Sequence, residues 1–178
     1  MSDPEPRPPL LHVVVMGVAG TGKSTIAQRL AVELDLVLAE GDDFHSAENI
    51  AKMSAGIPLD DADRLPWLRS IARWTADRHA RRQATVVTCS ALRKKYRDVL
   101  RDAVPETPTR FLHLTAPRAV LAERMTSREH FMPASLLDSQ LETLEPLADH
   151  EDGIVVDVSA PVDDVVARAL DWLGTRPG

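Results

Sequence analysis

A glycine-rich loop between an apolar run and a helical pattern is the feature of this sequence that most narrows its fold. Residues 10–16 are apolar apart from His12, residues 17–24 follow the pattern G-x-x-x-x-G-K-S, and Ile26, Leu30 and Leu34 then recur at helical spacing. In such a loop the glycines let successive backbone N–H groups point at phosphate oxygens, the lysine reaches the β- and γ-phosphates, and the serine hydroxyl binds Mg²⁺. We therefore predict a nucleoside triphosphate site. Its predicted ATP-binding residues are Gly17, Val18, Ala19, Gly20, Thr21, Gly22, Lys23, Ser24 and Thr25.

The alternation of short apolar runs with helical segments predicts the fold class. The runs are rich in β-branched residues and cover 11–16, 36–39, 84–89, 110–115 and 154–158. Helical spacing is found over 23–34, 46–54, 63–81, 92–103, 117–127, 134–144 and 162–173. This order predicts an α/β, three-layer fold in which helices flank a five-stranded, mainly parallel sheet. Ligands of such a sheet bind beyond the carboxyl ends of its strands.

Length and composition indicate one domain and are compatible with a small anionic substrate. The chain has 178 residues, and we expect a single domain over 10–175 after a disordered, proline-rich tail at 1–9. A net charge of −6 without a dense basic run argues against a nucleic-acid partner. The single cysteine, Cys89, has no partner for an internal disulfide, and no apolar stretch is long enough to cross a membrane. We therefore expect a cytoplasmic protein with no membrane partner.

An acidic cluster follows the second predicted strand. It contains Glu40, Asp42 and Asp43, with His45 close behind. Phosphoryl transfer to a hydroxyl needs a carboxylate that orients it and accepts its proton, and others that help to hold Mg²⁺. We expect Asp42 to be the catalytic base, and Glu40 and Ser24 to form the metal site. The alternative is that Asp42 and Asp43 cap the helix that follows.

Three further groups of residues are candidates for contacts with anionic ligands. After the third strand, where many P-loop proteins place a metal-binding Asp, this chain has Cys89 followed by a basic segment. Within that segment, Arg97 is our candidate for binding the acceptor substrate. The alternative for this segment is an ordinary solvated helix face. Lys52 and Arg64 belong to a polar segment that would cover the acceptor. We predict a closing lid at about 124–135, in which Arg124 and Arg128 are one helical turn apart. Both are predicted catalytic residues that neutralise charge on the triphosphate. The alternative is that they form surface salt bridges.

Many separate motifs, in order from His12 to Leu173, together resemble the small P-loop gluconokinases, which are related in fold to shikimate kinase. The matching segments are Met16 to Thr25, Gly41-Asp42 with His45, Asn49 to Met53 with Gly56 and Pro58-Leu59, Asp63-Arg64 with Pro66 to Leu68, Cys89 to Leu92 with Tyr96 to Asp98, and His130 to Pro133 with Ser139-Gln140 and Glu142 to Pro146. The resemblance implies a P-loop kinase fold with a mobile lid.

The resemblance also implies transfer of the ATP γ-phosphate to the 6-hydroxyl of D-gluconate, with Mg²⁺, in a homodimer. By position, Asp42 resembles the family's substrate-side carboxylate, and Lys23 and Ser24 resemble its phosphate and magnesium residues; Asp42 and Lys23 are thus predicted catalytic residues. Arg97 falls on the family's arginine after the third strand, and Arg128 on its lid arginine. The predicted substrate-binding residues are Asp42, His45, Lys52, Arg64, Arg97 and His130.

The chain departs from the family pattern at three places. Glu40 stands where Asp is usual, Ser46 replaces a proline, and the lid lacks one residue and a glycine before His130. Two rival functions are a kinase of another hydroxy acid such as shikimate, and a non-catalytic nucleotide-binding regulator. Shikimate kinases have a triple-glycine turn where this chain has Cys89-Ser90-Ala91. A regulator would not need an acidic strand end together with a basic lid.

Overall fold

Helices flank a single sheet in the computed structural model, which describes residues 8–127 and 134–174. The strands are β1 (His12–Met16), β2 (Val37–Glu40), β3 (Thr85–Thr88), β4 (Thr109–Thr115) and β5 (Gly153–Asp157). The helices are α1 (Lys23–Leu34), α2 (Ala47–Ser54), α3 (Asp61–Ala80), α4 (Lys94–Arg101), α5 (Arg118–Thr126), α6 (Ala134–Thr143) and α7 (Val162–Leu173), and a 3-10 turn covers Gly41–Phe44.

The sheet is parallel throughout, with the order β2-β3-β1-β4-β5. The chain leaves β1 toward one edge of the sheet, through α1 to β2 and back to β3. It then crosses to the other side of β1 for β4 and β5. The strand order therefore reverses at β1, and a crevice opens at the carboxyl ends of β1 and its neighbours. The phosphate loop begins at this crevice.

Strand β1 is buried on both faces, and its residues alternate between two cores. Val13 and Val15 pack on the side of α1 and α7. Val14 and Met16 pack on the side of α3 and α4, with Trp67 among their neighbours. Helices α5 and α6 form a third apolar cluster with the phosphate loop. The loop thus follows a strand that is fixed between two cores, and it packs against a third cluster through Val18.

The predicted three-layer architecture and five strands are confirmed, with boundaries that differ by a few residues. Helix α4 is shorter than predicted because the chain is extended at Arg93 and turns sharply at Ala91. The capping alternative for Asp42 and Asp43 is wrong, since both lie in the 3-10 turn and the Ser46 side chain caps α2 by accepting from the Asn49 N–H at 3.1 Å. No described helix has the length and apolarity needed to span a membrane.

Candidate active site

The phosphate loop has the backbone that its glycines predict. Gly17 has φ +144°, and a Cβ there would stand 2.5 Å from the Leu114 carbonyl oxygen of β4, so only glycine fits. The Lys23 ammonium lies over the loop and donates to the carbonyls of Gly17 and Val18 at 3.0 and 3.2 Å. The lysine charge is therefore held beside the first half of the loop.

Ser24 and Glu40, the two predicted metal-site residues, are brought together by α1 and β2. The Ser24 hydroxyl donates to Glu40 Oε2 at 3.0 Å, and the Thr88 hydroxyl donates to the same oxygen at 2.6 Å. Hydroxyl and carboxylate oxygens are the ligands that Mg²⁺ prefers, with the other positions taken by phosphate oxygens and water. No cluster of three or more His, Cys, Asp or Glu side chains suited to a metal is found in the described ranges. Such a magnesium site would therefore depend on the nucleotide for further ligands.

Thr88 is a site residue that the sequence reasoning missed. Besides fixing Glu40, its hydroxyl accepts a hydrogen bond from the Gly41 N–H at 3.2 Å. The two strands run so close here that a Cβ on Gly41 would lie 2.0 Å from the Thr88 carbonyl oxygen. A hydroxyl at the end of β3 thus positions a carboxylate from β2.

Asp42 projects into solvent at the carboxyl edge of the sheet, with its side chain 91% exposed. His45 Nε2 lies 3.8 Å from its Oδ1, and the imidazole is stacked on Trp67 with ring centroids 4.1 Å apart. Burial is the main cause that lowers the pKa of His45; Asp42 raises it and Arg64 lowers it by smaller amounts. The imidazole is therefore neutral near pH 7 and is held rigidly beside an accessible carboxylate.

Charges from three elements converge on the end of β3. Burial raises the pKa of the Cys89 thiol to about 12, and the charges of Asp42, Lys23 and Arg64 all act on it from nearby. The buried thiol is un-ionised at neutral pH and is not a nucleophile, as the sequence predicts. The candidate base, the loop lysine and the covering arginine therefore all act electrostatically on the end of β3.

Arg64 and Lys52 differ in what they leave available for a ligand. The Arg64 guanidinium lies over the Tyr96 ring, 5.3 Å from its centroid, and it makes no hydrogen bond or ion pair within the described residues. The Lys52 ammonium lies 2.9 Å from both carboxylate oxygens of Asp63. The geometry therefore favours Arg64 over Lys52 as the donor to an acidic acceptor.

The predicted acceptor contact of Arg97 does not fit the structure. The side chain is fully buried and its five N–H donors are all used. Two donate to the carboxylate of the buried Glu151 at 2.8 and 3.1 Å, and three to backbone carbonyls of Ala91, Glu145 and Pro146 at 3.0–3.2 Å. No donor is left for a substrate. Nor is Arg97 part of a solvated face, unlike Lys94, which pairs with Asp98 at the surface.

Arg97 instead holds the turn that follows β3. Ala91 has φ +47°, a left-handed conformation that costs a non-glycine residue about 1–2 kcal/mol. Its carbonyl accepts from Arg97, and the preceding carbonyl, that of Ser90, accepts from the Gly17 N–H at 3.3 Å. The buried arginine therefore fixes a strained turn that borders the phosphate loop.

The lid residues are only partly within the described chain. Arg124, at the end of α5, donates from Nη2 to the Val158 carbonyl at 2.6 Å, beyond the carboxyl end of β5. Arg124 therefore lies at the carboxyl edge of the sheet, where the phosphate loop also begins. Its contact with a triphosphate stays a prediction. Arg128 and His130 lie outside the described residues.

Comparisons with known proteins agree with this geometry. A family model described as "AAA domain" matches residues 13–147. A gluconokinase from Gluconobacter oxydans is 48% identical over 159 residues, which cover 89% of this chain and 88% of that protein. The structure of a sugar kinase from Janibacter has a TM-score of 0.89 at 55% identity and covers 95% of this chain and 97% of its own. A gluconokinase structure from Sinorhizobium meliloti has a TM-score of 0.84 at 45% identity, and the match covers 92% of this chain and 91% of that chain. The chain belongs to the gluconokinase family of P-loop proteins.

Proposed function

We propose that this protein is an ATP-dependent gluconokinase, which transfers the γ-phosphoryl group of ATP to the 6-hydroxyl of D-gluconate and forms 6-phosphogluconate. One observation carries the proposal. The ammonium of Lys23, the Ser24–Glu40 oxygen pair and the exposed carboxylate of Asp42 lie at the carboxyl ends of β1 and β2, the two strands that flank β3. Sequence identity of 48% to a named gluconokinase, over nearly the whole of both chains, supports the acceptor assignment.

In the proposed reaction the acceptor oxygen attacks the γ-phosphorus in line with the leaving group. The bond from that phosphorus to the β,γ-bridging oxygen breaks, ADP leaves, and the hydroxyl proton passes to the Asp42 carboxylate. The exposed position of Asp42 gives a substrate hydroxyl access to it. Catalysis then comes from positioning and from neutralisation of charge, without a covalent enzyme intermediate.

The acceptor is recognised through its carboxylate and its hydroxyls. Arg64 has an unengaged guanidinium fork within the described structure, which suits a bidentate pair with a carboxylate. The neutral His45 ring, fixed by Trp67, offers a hydrogen bond to a hydroxyl. Lys52 contributes through its pair with Asp63, which fixes α2 against α3. The residues proposed to select the acceptor therefore lie between the 3-10 turn and the start of α3.

Ser24 and Glu40 would hold Mg²⁺, which when bound neutralises charge on the β- and γ-phosphates. Arg124 and Arg128 would add positive charge from the lid, and His130 would contact the acceptor. As the family resemblance implies, the enzyme works as a homodimer in the cytoplasm.

A coupled assay of ADP release tests the proposal. The enzyme is given ATP and Mg²⁺ with D-gluconate, other sugar acids or shikimate in separate reactions. We expect kcat/KM to be highest for gluconate by at least about tenfold, a difference of about 1.4 kcal/mol in transition-state binding. A higher value for shikimate, or ATP binding without turnover on any acceptor, would support one of the rival functions.

A matched pair of variants tests the role of the base. Asp42→Asn should lower kcat about 10²–10⁴-fold, because the proton acceptor is removed, and should leave the Kd of ATP unchanged. Asp43→Asn removes the neighbouring exposed carboxylate and should change neither value. Equal effects of the two variants would exclude Asp42 as a specific base.

A further inference from the structure

Helix α6, which follows the lid, packs directly on the phosphate loop. Its Leu137 is fully buried in a cluster with Val18 of the loop and Leu121 and Met125 of α5. Leu141, on the same helix, packs against this cluster. The position of α6 relative to the loop is therefore set by apolar contacts rather than by an exposed polar one.

The carboxyl end of α6 is fixed as well. The Glu145 N–H donates to the Leu92 carbonyl at 2.6 Å, and the Glu145 carboxylate accepts from the Lys94 N–H at 2.9 Å. These bonds tie the end of α6 to the turn after β3. A polar side chain between the two anchored parts of the helix is consequently held in a defined place, which is what a catalytic contact requires.

Gln140 occupies that place. Its Oε1 accepts a hydrogen bond of 2.7 Å from the N–H of Ala19, in the middle of the phosphate loop. A backbone N–H can only donate, so the oxygen of the carboxamide must face the loop and the NH₂ group must point elsewhere. Within residues 8–127 and 134–174, that NH₂ group makes no hydrogen bond. Two donors beside the loop are therefore unused by the described residues.

These donors lie near the β,γ end of the triphosphate. Ala19 directly follows Val18, whose carbonyl accepts from the Lys23 ammonium at 3.2 Å. The lysine of such a loop reaches the β- and γ-phosphates, so the peptide next to it borders the phosphoryl group that is transferred. Negative charge on the equatorial oxygens of that group is what donors at this position would stabilise.

We propose that Gln140 is a further catalytic residue: its carboxamide oxygen fixes the Ala19 peptide, and its NH₂ group donates to an oxygen of the γ-phosphoryl group. The inference deepens the proposed kinase function. It gives α6 a role in the reaction, because the helix brings a donor to the phosphate loop from the side of the lid. Gln140 belongs to a segment that matches the family pattern, but that pattern does not indicate this role.

Two substitutions separate the functions of the oxygen and of the NH₂ group. Gln140→Glu keeps an oxygen for the Ala19 N–H, removes both donors and puts a negative charge near the γ-phosphate. Gln140→Leu removes both functions. Glu142→Gln, at an exposed position on the same helix, is the control for a change on α6 that does not face the loop.

The measurement is the Kd of ADP and of the β,γ-imido analogue of ATP, with Mg²⁺ and without any sugar acid. For Gln140→Glu we expect a loss of at least about tenfold for the ATP analogue, little change for ADP, and a kcat lowered by ~10²-fold, as for the loss of one oxyanion donor. The melting temperature without nucleotide should match that of the parent. Glu142→Gln should match the parent in every measurement.

Three results would overturn the proposal. One is an equal change in the affinities for ADP and the ATP analogue. Another is a kcat for Gln140→Glu within about threefold of the parent while Gln140→Leu loses activity, which would limit Gln140 to holding the Ala19 peptide. The third is a change in nucleotide affinity and kcat for Glu142→Gln that is as large as the change for Gln140→Glu. Because the binding measurements contain no acceptor, their outcome is independent of whether gluconate is the substrate.

Discussion

Replacement of Arg97 by Met should destabilise the fold severely. Arg97 and Glu151 are both completely buried, and removal of one member of a buried ion pair costs about 3–5 kcal/mol because the other charge is left without its partner. Three backbone carbonyls also lose a donor, at about 1–3 kcal/mol for each that stays unsatisfied. Part of this cost is avoided, since Glu151 still accepts from Arg101 and from the Ala148 N–H. We therefore expect a loss of at least about 4 kcal/mol.

Urea unfolding followed by circular dichroism measures this loss as a decrease in the midpoint at constant m value. Lys94→Met on the same helix is the control: it breaks a half-exposed pair with Asp98, and such pairs contribute at most about 1 kcal/mol. A loss below about 1 kcal/mol for Arg97→Met would refute the reasoning. Unaltered stability with a selective rise in the KM for gluconate would also refute it, and would support a role of Arg97 in binding the acceptor.

The double variant Arg97→Met with Glu151→Leu should recover much of the stability, because it leaves no uncompensated buried charge. The pKa of Glu151 is lowered overall: burial acts to raise it, but the hydrogen bonds from Arg97 and from the Ala148 N–H outweigh burial. A carboxylate with a lowered pKa stabilises the fold above its unfolded pKa, and this contribution is lost as the pH falls through the folded value. Because Arg97→Met removes this contribution, its free energy of unfolding should decrease less on acidification than that of the parent.

Three further predictions concern the phosphate loop, the end of β3 and a buried histidine. Lys23→Ala should leave the circular dichroism spectrum unchanged and nearly abolish ADP release, because the cation at the β- and γ-phosphates is lost; unchanged turnover would exclude the nucleotide site. Thr88→Val removes a donor from Glu40, so we expect the Mg²⁺ concentration for half-maximal activity to rise several-fold, and an unchanged Mg²⁺ dependence would contradict this role. Burial and the charge of Arg97 lower the pKa of His113 to about 4, so the unfolded state binds up to one more proton between about pH 4 and 6.5, and the free energy of unfolding decreases as the pH falls through that window. His113→Leu should reduce the pH dependence of unfolding there by up to about 1.4 kcal/mol per pH unit, and equal slopes would exclude this origin.

Local signals were sufficient for the phosphate loop and the strand ends. Helical spacing identified α1, and the β-branched runs identified the strands whose carboxyl ends carry Ser24, Glu40 and Asp42. The contact of Ser24 with Glu40 follows from the parallel order of the sheet, because loops at the same edge must meet. Short-range patterns and one topological rule therefore predict this part of the site.

The environment of Arg97 could not be predicted in the same way. A basic residue in a basic segment is usually solvated, and its burial here depends on Glu151, 54 residues further along the chain in a loop without any distinctive pattern. The contact of Gln140 with Ala19 likewise joins residues that are 121 positions apart. Partners of this kind are fixed by packing of the whole domain, and a single sequence carries no local sign of them.

Trp67 gives this fold an optical probe next to the proposed acceptor site. Its indole N–H donates to the Gly41 carbonyl at 2.7 Å, while its ring lies against His45. The other two tryptophans have different neighbours: Trp74 contacts Phe44, and Trp172 contacts Arg110 near the end of α7. Emission from Trp67 depends on the charge and solvent beside its ring, so with Trp74 and Trp172 replaced by Phe it would follow proton uptake by His45 and arrival of an acceptor in real time, without any added dye.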